Sequence, residues 1–103
     1  MLIKIMDDWG CYPTWVWGPD KYGGLYEPHD PAELGLSPSL VGRLEAWQKW
    51  SDSMVNIADP HDSRPISDAE YDALAAEGRR LAIRVGDELR RARFWYYQDP
   101  EPA

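Results

Sequence analysis

Two stretches of this chain repeat their apolar residues at steps of three and four, and that period constrains everything around them. Leu40, Leu44, Trp47, Trp50, Met54 and Ile57 fall on one face of a helix that ends at Asp59-Pro60. Its start is well marked. Ser37 is a good N-cap, and Pro38 follows with its φ already set and no amide to leave unpaired. Ser67-Asp68-Ala69-Glu70 matches a capping box and opens a second helix, whose apolar side carries Tyr71, Leu74, Leu81, Val85 and Leu89. Gly78 lies on that side near the middle, where a missing side chain lets the two helices approach closely.

Two amphipathic helices need a second layer to cover their apolar stripes. Three short segments can supply it. Leu2-Ile3-Lys4-Ile5-Met6 is rich in β-branched residues and ends at Asp7-Asp8; Thr14 to Trp17 follows a turn containing Gly10 and Pro13; Arg93-Phe94-Trp95-Tyr96-Tyr97 closes the pattern. The run from Gly18 to Leu36 is dominated by Gly, Pro, Asp and Tyr and predicts a surface loop over 19–36; residues 98–103 predict a frayed tail. The expected fold is therefore α+β. In order β-β-α-α-β, a small antiparallel sheet pairs its first and last strands and is covered on one face by a helical hairpin. With 103 residues the chain has the length of one domain, 1–103.

Charge and composition exclude some function classes. A net charge of −7 repels nucleic acid and anionic membrane, so neither is an expected partner. Cys11 is the single cysteine, which rules out an intramolecular disulfide and suits a reducing cytoplasm. Leu2 to Met6 is too short for the apolar core of a signal peptide, and no apolar run has the length to cross a bilayer.

Candidate chemistry is sparse, and no catalytic site, cofactor or metal site is expected. Asp7 and Asp8 are neighbours, so on a strand they point to opposite faces and do not converge for acid–base work. Cys11 has no local base, and the serines lack a nucleophile elbow. Gly23-Gly24 is not followed by the lysine of a phosphate loop. Both histidines sit in Pro-His-Asp tripeptides, at His29 and His61, without the i, i+4 spacing of a helical metal site; turn chemistry accounts for both.

What remains is an interaction surface. Six arginines in 79–93 face only Asp87 and Glu88, and the macrodipole favours them at the end of a helix. The first 78 residues hold fourteen acids against five bases. In this acidic part Asp7, Asp8, Trp9, Tyr12, Tyr22 and Tyr26 combine carboxylates with large aromatic rings, the chemistry that docks on a basic protein surface. The competing reading puts Trp15 and Trp17 in the core and makes the loop merely soluble.

The segments Ile-Met-Asp-Asp-Trp-Gly-Cys-Tyr-Pro-Thr-Trp-Val-Trp, Glu-Leu-Gly-Leu-Ser-Pro-Ser-Leu-Val-Gly-Arg-Leu-Glu-Ala-Trp-Gln and Ala-Glu-Gly-Arg-Arg-Leu-Ala resemble a family of short uncharacterised actinobacterial proteins, over Ile3 to about Tyr97. The resemblance carries over no catalytic residues. In size, acidity and lack of an assembled active site the chain is similar to the immunity proteins and antitoxins that neutralise polymorphic toxins. The expectation is a small cytoplasmic, non-enzymatic inhibitor of a basic toxin or nuclease. Two alternatives stay open: a homodimeric structural module, and a small metal- or ligand-binding domain built on the long loop and the two Pro-His-Asp segments.

Overall fold

The protein's structure, a computed structural model, describes residues 2–18, 25–54, 66–89 and 93–100. Strands β1 (Leu2–Ile5), β2 (Thr14–Gly18) and β3 (Leu25–His29) are followed by a 3-10 turn (Pro31–Leu34), helices α1 (Pro38–Asp52) and α2 (Asp68–Glu88), and strand β4 (Arg93–Tyr96). The sheet runs β3-β2-β1-β4. The α+β class and the pairing of first and last strands are as the sequence predicts, with two differences in detail. β1 pairs antiparallel with β2 but parallel with β4, so the sheet is mixed rather than antiparallel. The second difference is a fourth strand, β3, inside the stretch expected to be a loop; the 3-10 turn lies there too, and residues 19–24 fall outside the described residues. Pro28 argues against a central strand but is tolerated here because β3 is an edge. Thr14, fully buried, donates its hydroxyl to the His29 carbonyl at 2.6 Å and fixes that edge.

Strand alternation and register divide the sheet into two faces. Ile3, Ile5 and Tyr96 point to the helices and are buried, with Val16 partly buried beside them. α2 lies on β1 and β4, and α1 packs against α2. The core is completed by Leu36, Leu40, Leu44, Trp47, Met54, Leu74, Leu81, Ala82 and Val85.

Both predicted N-caps form: Ser37 Oγ accepts from the Leu40 amide at 3.3 Å and Ser67 Oγ from the Glu70 amide at 3.1 Å. α1 stops at Asp52, earlier than its apolar period suggests. Met54 still reaches the core from the turn that follows, while Ile57 and Asp59-Pro60 lie outside the described residues. Tyr71, expected on the apolar side of α2, is instead exposed.

Polar ties lace the helix pair along its length. At one end the Ser37 amide and hydroxyl donate to Glu88 at 2.6 and 2.7 Å. Arg43 then pairs with Glu77 at 3.1 Å, the Trp47 indole donates to the Leu74 carbonyl at 2.8 Å, and the Trp50 indole to Glu70 at 2.8 Å. The two bonds from Ser37, the backbone one first, hold the Glu88 carboxyl below its ordinary pKa. A carboxylate depressed by folding stabilises the fold above its unfolded pKa, and that contribution is lost as pH falls through the folded value. The expected frayed tail also has anchored residues. Asp99 receives Arg79 Nε and Nη2 at 3.0–3.1 Å, while 101–103 lie outside the described residues.

Gly78 is buried where three elements converge. A Cβ there would meet the Tyr96 ring and, at 2.8 Å, Cζ2 of Trp47, whereas a Cβ at Gly42 on α1 meets nothing within 4 Å. Gly78→Ala should therefore cost about 1–3 kcal/mol through overpacking, despite alanine's helix preference of about 1 kcal/mol. Gly42→Ala should instead stabilise by about 0.5–1 kcal/mol. Urea unfolding midpoints of the two variants, compared with the parent, measure both.

Candidate protein-interaction surface

The connection between β1 and β2 is a loop closed at its base by the Met6 amide donating to the Pro13 carbonyl at 3.0 Å. Gly10 takes φ 70°, the left-handed conformation that glycine adopts without strain. The Cys11 amide bonds back to the Asp8 carbonyl at 3.1 Å. The loop is then pinned to α1. Gln48 Nε2 donates to the Asp8 carbonyl at 3.0 Å and to Asp52 Oδ1 at 2.8 Å, and the Gly10 amide points at the same Asp52 oxygen at 3.4 Å. α1 thus uses one stripe for the core and a second, Glu45, Gln48 and Asp52, to carry this loop.

Pinning decides which loop side chains face out. Asp8 is exposed, Trp9 is 48% exposed and Tyr12 49% exposed. Asp7 turns the other way: its Oδ2 accepts from the Ser51 hydroxyl at 2.6 Å, and its Oδ1 is sealed from solvent. Between loop and helix runs a groove of about 650 Å³, lined by Gly10, Cys11, Tyr12, Pro13 and Pro28 on one side and Glu45, Gln48, Lys49 and Asp52 on the other. Three of the six singled-out residues, Asp8, Trp9 and Tyr12, are therefore exposed on this one loop. Tyr22 lies outside the described residues. Tyr26 sits on the sheet, away from the loop: it pairs with Trp17, at the end of β2 remote from Thr14.

Tyr26 belongs to a second aromatic surface, on the sheet face turned away from the helices. Register places Lys4, Trp15, Trp17, Tyr26 and Trp95 there. Lys4 Nζ lies 4.5 Å from the centre of the Tyr26 ring, 5.7 Å from that of Trp15 and 5.8 Å from that of Trp95, a cation held among three π faces. The Trp95 indole donates to Tyr26 Oη at 3.3 Å, and the Trp15 indole to the Met6 carbonyl at 3.2 Å. Neither Trp15 nor Trp17 is in the core; Trp17 is 40% exposed. The signal that would have shown this is parity: their face follows from the register of β2 against Ile3 and Ile5, which the loop length sets.

Other candidates resolve into structure. Asp30 caps the 3-10 turn, accepting from the Ala32 amide at 2.9 Å, and His29 occupies the end of β3 opposite Thr14. His61 lies outside the described residues. Among the described residues no group of three His, Cys, Asp or Glu is placed to hold a metal ion, and no helix is long and apolar enough to cross a membrane. Arg79, Arg80 and Arg84 of the basic stretch face Asp99, Glu77 and Glu88 respectively.

A family model described as Serratia CdiI immunity protein-like matches residues 1–99 of the chain. No curated protein matches it.

Cys11 reports on the electrostatics of this surface. Burial first, then the charges of Asp8 and Asp52, raise its thiol pKa above the ordinary value, so the thiolate is scarce at neutral pH. Asp8→Asn removes one of the raising charges. The pH profile of iodoacetamide alkylation at Cys11 should then shift to lower pH, with faster modification at pH 7. An unchanged profile would show that Asp8 does not act on the groove.

Proposed function

The chain belongs to the Serratia CdiI immunity protein-like family, and from that premise we propose that it is an immunity protein that binds and inhibits a basic toxin in the cytoplasm. The observation that supports this reading is the outward loop surface. Trp9 and Tyr12 stand exposed beside Asp8, on a loop held to α1 by side-chain bonds, with Glu45 and Asp52 bordering the groove behind it.

Preorganisation of the loop favours such binding. Aromatic side chains carried on a backbone held in place before binding supply contact area without the cost of ordering the loop, and a rim of carboxylates speeds encounter with a positive partner. The net charge of −7 adds a long-range attraction of the same sign. Asp8, Trp9 and Tyr12 make the direct contacts in this proposal. Asp7 has the different role of fixing the base of the loop through Ser51, and Tyr26 belongs to the sheet face. Inhibition follows by covering the toxin's basic surface, with no reaction carried out by this chain.

The test is to capture the tagged chain from its native cells and identify what binds stoichiometrically. A basic protein that arrests growth when expressed alone, and ceases to when this chain is co-expressed, establishes the reading. A bound protein that is harmless alone contradicts it. With that partner, Asp8→Lys should slow association roughly tenfold at about 10 mM salt and little at about 1 M, where the Debye length is only about 3 Å. Trp9→Ala and Tyr12→Ala should each speed dissociation at a cost of about 1–3 kcal/mol, nearly independent of salt. Stopped-flow association and dissociation rates measure all three.

A further inference from the structure

On the side of the molecule to which Asp7 turns lies a larger cavity, of about 750 Å³, between the end of α1, the first turns of α2 and β4. Its walls include Asp7, Tyr71, Asp72, Arg79, Tyr96 and Tyr97. Neither the family description nor the loop surface accounts for it.

Among the described residues, the charges around it leave a surplus of carboxylate. Arg79 is committed to Asp99 by three contacts of 3.0–3.1 Å and lies 5.2 Å from the centre of the Tyr96 ring, so its charge is compensated from outside the cavity. Asp72 is exposed at the rim. Asp7 accepts from the Ser51 hydroxyl through Oδ2 and has the Tyr97 hydroxyl beside it as a second donor, but among the described residues no cation pairs with it. A partly desolvated carboxylate that has hydroxyl donors but no cation beside it is still stabilised by one. The remaining walls are aromatic. Burial, then the neighbouring charges, Asp7 among them, push the Tyr96 and Tyr97 phenols above their ordinary pKa, so both rings stay neutral at physiological pH. Neutral phenol faces beside an uncompensated carboxylate are the surroundings a guanidinium or ammonium group binds best. The fold already seats one guanidinium on this wall, that of Arg79 over Tyr96.

We propose that this cavity receives a basic side chain, arginine foremost, of the toxin, an inference that rests on the immunity reading for the identity of the partner. Tyr71 and Tyr97 give the cation its π faces, and Asp7 and Asp72 give it opposite charge. The chain would then hold its partner at two places, the loop aromatics and this cavity, on either side of the Asp7-Asp8 pair.

The experiment is an NMR titration of the intact chain with N-acetyl-arginine amide, with N-acetyl-norleucine amide as the uncharged control. The expected result is a saturable shift, in the millimolar range, of amides around Asp7, Ser51, Asp72 and Tyr97 with the arginine probe alone. Asp72→Asn, at an exposed position, and Tyr71→Leu should each weaken it at least about twofold. The same spectra verify that both variants remain folded. No shift at these amides, or equal shifts with both probes, overturns the proposal. Growth protection separates the two claims. A chain that protects against its toxin but does not bind the arginine probe loses the cavity proposal and keeps the immunity reading. A chain that binds the probe but captures no toxin keeps a cation site and loses the partner assigned to it.

Discussion

The fold depends on the seating of Trp47. Its side chain is 2% exposed, its indole N–H donates to the Leu74 carbonyl of α2, and its ring meets Tyr96 of β4 edge-on with centroids 6.2 Å apart. The two rings converge over Gly78, the position on α2 where a Cβ would strike both. One residue thus joins α1, α2 and the sheet, and its polar atom is satisfied inside the core. Truncating a buried aromatic of this kind typically costs about 3–5 kcal/mol, a large share of what a small domain has.

The outward loop surface follows from that seating. Once Trp47 and Leu44 fix the rotation of α1, its next stripe, Glu45, Gln48 and Asp52, must face the β1–β2 connection. Gln48 and Asp52 then hold the loop backbone, and Asp8, Trp9 and Tyr12 stand exposed on it. Asp7, one residue earlier, falls on the opposite side and bonds Ser51. The adjacent carboxylates diverge, as neighbours on an extended chain do, and so serve different surfaces.

Much of this was legible in the residues. Ser37-Pro38 and the Ser67–Glu70 pair mark where both helices begin, because caps are local chemistry that packing does not override. The three-four periodicity picked out Leu40, Leu44, Trp47, Leu74, Leu81 and Val85, all buried. β3 was hidden, because Pro28 and the surrounding turn residues mask a strand that exists only by pairing with β2 along an edge. The outer aromatic face was hidden for another reason. Trp15 and Trp17 alternate with Val16 in either register, and a slip of one residue exchanges core for surface. The inward turn of Asp7 depends on Ser51, 44 residues away, and no local pattern encodes a contact at that range.

Recognition of the toxin is proposed to centre on the loop over residues 8–12. Hydrogen–deuterium exchange of the chain alone and saturated with its captured partner tests this directly. Slowed exchange at the amides of residues 8–12 in the complex is the result the account predicts. Unchanged exchange there in a saturated complex would contradict it and move recognition to another face of the molecule.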